Sequence, residues 1–193
     1  MIAYRKEKIE NAICFFATEH QKRSGKPLVQ TYLYKYLAFL DFCCVEKTGI
    51  PSLDLEYKAM ERGPVPYKIY NKRSALKTDL YEFIDMGDGV FEIRAKAQPS
   101  LIYFSEFEKG IMNQLISKYA TKYGITNEIS EDSHKLIRAY KKAYNIKPNS
   151  RIDYLLTFNS NPYLKPKENR TQPEDAYVIY DSLKQSRKCR PAK

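Results

Sequence analysis

The chain of 193 residues carries 33 Lys and Arg against 23 Asp and Glu, a net charge of +10, and 43% of it is hydrophobic, with 17 Tyr, 9 Phe and no Trp. That apolar and aromatic content excludes a disordered chain, and a globule of this length buries roughly 70% of its unfolded surface, enough to fold without disulfides or metal. No window approaches the ~20 apolar residues of a membrane span. The opening MIAYRKEKIE alternates charged and apolar residues and lacks the apolar core of a secretion signal, so a cytoplasmic location is expected.

From about 5 to 19, Ile9, Ala12, Ile13, Phe16 and Ala17 recur at spacings of three and four, which predicts an amphipathic helix. HQKRSGKPL breaks it at Gly25 and Pro27. A second helix is expected from about 31 to 47, stopped by Gly49 and Pro51. Leu33, Tyr36, Leu37, Leu40, Cys43 and Cys44 make one broad face, while Tyr32, Phe39 and Phe42 leave little polar surface elsewhere. That is the pattern of a central, buried helix. Lys35 and Asp41 interrupt it. Buried charges are costly unless paired or hydrogen-bonded, so Lys35 is expected to reach an edge and Asp41 to bond nearby backbone.

LDLEYKAM alternates, which predicts a half-buried strand near 53–59. The following ERGPVP reads as a corner. Gly63 permits an unusual turn, Pro64 keeps the residue before it out of the helical region, and Pro66 suits the first turn of a short helix through YKIYNKRSAL. EFIDMGDGVFEIR predicts a hairpin over 82–94 with Asp88-Gly89 in a two-residue type I′ turn. That register sets Met86 opposite Phe91, Ile84 opposite Ile93 and Asp85 opposite Glu92. Ser105-Glu-Phe-Glu108 is a capping-box pattern opening a helix to about residue 123, with Phe107, Ile111, Leu115 and Tyr119 as its stripe. A further helix is expected over about 127–144, with Ile129, Leu136, Ile137, Tyr140 and Tyr144 inward. RIDYLLTF fits a short helix or a strand.

The sum is an α+β fold, mainly helical, with four to five helices around a small antiparallel sheet (the strand near 53–59 and the hairpin 82–94). One domain is expected over 1–158. A Pro-containing basic C-terminal extension over 159–193 is expected to be partly disordered, with only AYVIYDSL able to dock.

Residues 133–152 contain no acid but hold Lys135, Arg138, Lys141, Lys142, Lys147 and Arg151, and the last residues add Lys184, Arg187, Lys188, Arg190 and Lys193. Such a surface favours an acidic protein or nucleic acid. Lys135, Arg138 and Lys142 share a helical face by their spacing and are the candidate partner-binding residues.

Catalytic chemistry is not expected. The four cysteines, Cys14, Cys43, Cys44 and Cys189, form no C-x-x-C, and only His20 and His134 could complete a zinc site, so neither metal nor cofactor is anticipated. Reduced thiols fit a reducing compartment. ERGPVP has one glycine and no Gly-Lys-Ser/Thr, so it is neither a Walker loop nor a Rossmann fingerprint.

KYLAFLDF, then YKAMERGPVPYKIY with its Gly63-Pro64-Val65, then the hairpin, the later helix and SEDSH with Tyr140 after it, resembles the SocA-like antitoxin domain. This is also called the Panacea domain or the phage-associated GepA-like family, and the resemblance spans about 29–144. It implies a non-enzymatic antitoxin, encoded beside a toxin gene, that neutralises its cognate protein toxin by direct binding; the founding example also delivers its toxin to a AAA+ protease. No catalytic residue carries over, and Lys35, Asp41, Gly63, Pro64, Val65 and His134 match the pattern as scaffold positions. The charge leaves a second function open, a nucleic-acid-binding, phage-associated regulator in which basic residues track phosphates while Tyr140 and Tyr144 stack bases. Against it, no helix-turn-helix, zinc finger or RRM signature is present. No membrane partner is expected.

Overall fold

The computed structural model describes residues 2–122 and 126–188. In chain order these form α1 (Arg5–Ser24), β1 (Leu28–Val29), α2 (Gln30–Thr48), β2 (Tyr57–Met60), β3 (Gly63–Pro66), α3 (Tyr67–Lys72), β4 (Tyr81–Asp85), β5 (Phe91–Ala95), α4 (Glu106–Tyr119), α5 (Thr126–Leu136), α6 (Arg138–Ile146) and α7 (Gln172–Lys188). The class is the expected mainly helical α+β, with more helices than the sequence pattern suggests. No described helix is long and apolar enough to cross a membrane.

The apolar circumference of α2 makes it the axis. Its residues from Tyr32 to Phe42 are all buried, and α1, α4, α5, α7 and β3 pack around it. Fully burying a side chain such as Leu37 or Leu40, both 0% exposed, stabilises the fold by about 1.5–3 kcal/mol. Both α1 and α2 end on a left-handed glycine, Gly25 (φ 74°) and Gly49 (φ 78°), a conformation that costs glycine little.

The hairpin turn is as expected and the register is not. Asp88 and Gly89 have φ of 51° and 72°, and Val90 N–H donates to Gly87 O at 2.9 Å, which is a type I′ turn. Gly87 is also left-handed (φ 87°), however, and it is Met86 N–H that donates to Val90 O, at 2.9 Å. Gly87 is thus an extra residue, a bulge. It slips the pairing by one, so Asp85 faces Phe91, Ile84 faces Glu92 and Phe83 faces Ile93. The inward face becomes Tyr81, Phe83, Phe91 and Ile93, while Met86 is 56% exposed. A one-residue slip exchanges the two faces of a strand, and two aromatic rings bury more area than Ile84 and Met86. With β1 this hairpin makes an antiparallel sheet in the order β1-β5-β4.

The strand expected near 53–59 begins later, at Tyr57, and the GPVP corner is itself its partner strand, with Met60 opposite Gly63 and Tyr57 opposite Pro66. Prolines fit there because the ladder asks nothing of their missing N–H. Tyr57 and Ala59 turn their backbone groups the other way, Ala59 N–H donating to Ser150 O (2.8 Å) and Tyr57 O accepting from Ile152 N–H (2.9 Å).

The expected 127–144 helix is broken. Ile137 (φ −87°, ψ 89°) separates α5 from α6, and Leu136 is 62% exposed. The break lets Ile137, Ala139, Tyr140 and Ala143 all turn inward, which one straight helix could not do with Leu136 inside as well.

The capping box of α4 is formed, Glu108 N–H donating to Ser105 Oγ (3.3 Å) and Ser105 N–H to Glu108 Oε2 (2.8 Å). Its stripe is rotated from the expected one. Glu108 turns inward to accept from Lys8 and Ser52, and Phe107 is 45% exposed. α4 ends at Tyr119, and the expected end at Tyr123 lies outside the described residues. RIDYLLTF becomes a 3-10 turn over Tyr154–Thr157. Beyond it, α7 seats Tyr177 and Tyr180 on the axis helix, and Lys184 pairs with Asp54. The last basic residues, Arg190 and Lys193, and Cys189 lie outside the described residues.

His20 gives the core an acid sensitivity. It is 0% exposed, its Nδ1 lies 2.9 Å from the Tyr36 hydroxyl, and burial pushes its pKa down to about 4. An unfolded histidine titrates near 6.5, so between about 6.5 and 4 the unfolded chain binds the extra proton and stability falls as pH falls. The expected loss is roughly 3 kcal/mol across that window. His134, also lowered, adds in the same direction. Urea unfolding of wild type and His20→Gln at pH 7.5 and about pH 5 checks it, the variant showing a flatter dependence.

Candidate functional site

The residues that carry the sequence motifs come together at one place. Lys35 comes from α2, Gly63, Pro64 and Val65 from β3, Ser133 and His134 from α5, and Tyr140 from α6. Gly63 is the point of closest approach. Its φ is 104°, and a Cβ there would lie 2.5 Å from Ser133 Oγ and 2.6 Å from Lys35 Nζ. Only a residue without a side chain lets the three elements meet.

The tip of the β2–β3 hairpin is held from its flank. Tyr140 donates its hydroxyl to Met60 O at 2.9 Å. Its ring stacks on His134, with centroids 4.8 Å apart and planes 30° apart, and on Tyr144 at 5.6 Å and 27°. Burial and the Lys35 charge both hold His134 below the usual imidazole range, against a hydrogen bond with the Arg62 backbone. It is therefore a neutral packing partner at pH 7.

Lys35 does not reach solvent, contrary to expectation. It is 2% exposed, Nζ donates to Pro64 O at 3.4 Å, and burial pushes its pKa down to about 7. Beside it opens a cavity of about 300 Å³ with walls that include Tyr34, Val65 and Tyr70.

Asp41, on the same helix, meets the expectation of backbone bonding and goes further. Its carboxylate accepts from the N–H groups of Leu53 (2.6 Å), Asp54 (3.2 Å) and Leu55 (3.1 Å) and from the hydroxyls of Tyr57 (3.0 Å) and Tyr154 (2.9 Å). Complete burial pushes this carboxyl up, opposed by those hydrogen bonds. Asp41 is the knot that wraps 53–55 over the core, with Asp54 in the left-handed region (φ 53°).

Lys135, Arg138 and Lys142 do not share one helix, because the break at Ile137 intervenes. Lys135 pairs with Glu131 at 3.2 Å. Arg138 donates to Thr157 O (3.2 Å) and Asn159 Oδ1 (2.6 Å), and Lys142 to Phe158 O (2.7 Å). The last two cations thus tie α6 to the segment that leads to α7. Ser133, Tyr57 and Tyr154 belong to these arrangements and were not singled out as site residues. Ser133 and Tyr57 lie inside the SEDSH and YKAMERGPVPYKIY motifs, whereas nothing in the local sequence marks Tyr154, which acts on Asp41 from far along the chain.

The arrangement packs α2, β3, α5 and α6 against one another. Ser133 Oγ donates to Ser130 O at 2.7 Å, and burial pushes the Cys43 thiol up to about 11, away from the reactive thiolate. Among the described residues no three His, Cys, Asp or Glu side chains group as metal ligands would.

Gly63→Ala is expected to cost about 2 kcal/mol or more, since it adds left-handed strain to three sub-van-der-Waals contacts with the Ser133 and Lys35 side chains. Thermal unfolding measures it. A midpoint within a degree of wild type would show that the three elements are not packed through Gly63.

A family model described as Antitoxin SocA-like, Panacea domain, matches residues 33–139. No curated protein and no solved structure matches the chain.

Proposed function

Because the chain belongs to the SocA-like antitoxin, Panacea domain family, we propose that it is the antitoxin of a toxin–antitoxin pair. In this reading it neutralises a cognate protein toxin, the product of a neighbouring gene, by direct binding and transforms no substrate. The observation that carries it is the family match across the core, joined to the use of Lys35, Asp41, Gly63 and His134 in packing. Binding through surface complementarity needs a rigid scaffold, and α2 with its surrounding helices supplies one.

The acid-free stretch 133–152 supplies positive charge that would steer an acidic toxin. Within it Lys135 keeps 69% of its side chain exposed and pairs with Glu131 of its own helix. Arg138 and Lys142 would act there through the segment they fix. Neutralisation by masking suffices for this reading, and presentation to a AAA+ protease is a further step of the same interaction.

Co-expression with the neighbouring gene's product is the test. Growth arrest relieved by this chain, with a complex recovered on purification, is the expected result; arrest that persists beside soluble chain refutes it. Binding to random duplex DNA or RNA that weakens steeply between about 50 and 200 mM salt would instead favour the regulator reading.

A further inference from the structure

Lys35 carries a buried amino group that has no counter-ion among the described residues and that burial holds only partly protonated near pH 7. When protonated it carries three N–H donors, and the one acceptor it meets among the described residues, Pro64 O, stands at 3.4 Å, the outer limit of a hydrogen bond. No Asp or Glu among the described residues lies within ion-pair distance of it, although other buried or half-buried lysines have one: Lys8 has Glu108 and Lys165 has Glu174. A buried charge in this condition is costly. Replacement by a methionine of similar length would remove that cost.

The side chain is not sealed. Lys35 lines the cavity of about 300 Å³ that opens between the start of α2, the tip of the β2–β3 hairpin and α3. Tyr34 and Tyr70 stand on its walls with rings 6.2 Å apart. Arg62, at the hairpin tip, adds a second positive charge, and Glu61 beside it is exposed. The cavity is large enough for one side chain, apolar on its walls and positive at Lys35. Its chemistry matches the end of an aspartate or glutamate, whose carboxylate would take the unused donors of the ammonium.

Resting on the antitoxin reading, we propose that this cavity is where the partner docks, and that Lys35 receives a carboxylate side chain of the bound toxin. The inserted residue anchors the complex at the centre of the interface, and the surrounding tyrosines exclude water from the new ion pair. The positive surface outside brings the partner in; the cavity fixes its register.

The test uses the full chain and the neighbouring gene's product. Lys35→Met is expected to fold, with a thermal midpoint equal to or above wild type, yet to bind that product at least tenfold more weakly. Thr31→Trp, which leaves Lys35 in place and fills the mouth of the cavity, is expected to lose binding to the same degree. An alanine scan of the product's Asp and Glu residues should then find one whose removal weakens binding to wild type and has no effect on Lys35→Met. Undiminished binding by a folded Lys35→Met, or no acidic residue showing that coupling, overturns the docking site and leaves the antitoxin reading intact. A wild-type chain that neither binds nor protects against the product overturns the antitoxin reading and this inference with it.

Discussion

Asp41→Ala lowers the free energy of unfolding by about 3–5 kcal/mol, the loss expected when several buried donors lose the acceptor they share. Alanine would strand the N–H groups of Leu53 and Leu55 and the hydroxyl of Tyr57 inside the core, while the Tyr154 hydroxyl keeps Leu55 O as an acceptor. Each orphaned donor costs about 1–3 kcal/mol, partly offset as the loop relaxes toward water. Asp41→Asn retains one acceptor oxygen but turns an amide N–H toward other donors, so an intermediate loss is expected. Urea unfolding of the three proteins measures this, with the midpoint falling and the slope unchanged. A loss under about 0.5 kcal/mol for the alanine variant would mean that 53–55 closes over the core without Asp41.

Gly49→Ala is expected to displace α7 from the body of the protein, and Gly25→Ala is its control. Both glycines end a helix in the same left-handed conformation, with φ of 78° and 74°. Around Gly25 nothing lies within 4 Å of an added Cβ, whereas at Gly49 it would fall 2.1 Å from Pro173 O and 2.7 Å from Tyr177 N. Both obstacles are backbone, which cannot rotate away as a side chain can. The control therefore pays only the conformational cost of about 1 kcal/mol. Gly49→Ala loses in addition the packing of Tyr177 and Tyr180, about 3 kcal/mol or more in total. Limited proteolysis and amide hydrogen exchange separate the two. The expected result is early cleavage and loss of protection from about residue 159 onward in Gly49→Ala alone; equal behaviour of the two variants would mean that α7 does not rest on Gly49.

Much of the site was visible in the sequence as a set and invisible as a place. Lys35, Asp41, Gly63 and His134 stand out through motif resemblance, and the apolar setting of α2 already demands that its two charges be satisfied. What satisfies them depends on distant residues. Tyr154 reaches Asp41 across 113 positions of chain, and Ser133, on a helix that stops before Ile137, comes against Gly63 of β3. No glycine or proline marks that stop, and so the three cations 135, 138 and 142 read as one stripe when they belong to two helices.

By itself the sequence determined the elements whose cause is local: the amphipathic period of α1, the all-round apolar surface of α2, the glycine ends of both, the type I′ turn at Asp88-Gly89 and the capping box at Ser105. Each follows from dihedral preference, a hydrogen bond a few residues away, or a period of apolar side chains. Tertiary structure alone decided the strand register beyond that turn, the pairing of GPVP as a strand, the inward turn of Glu108 in place of Phe107, and the seating of α7 on α2. In those cases two local solutions lie close in energy. The choice between them is made by which one buries more aromatic area and leaves no donor or charge unmet, and that sum can be taken only over residues that meet in space.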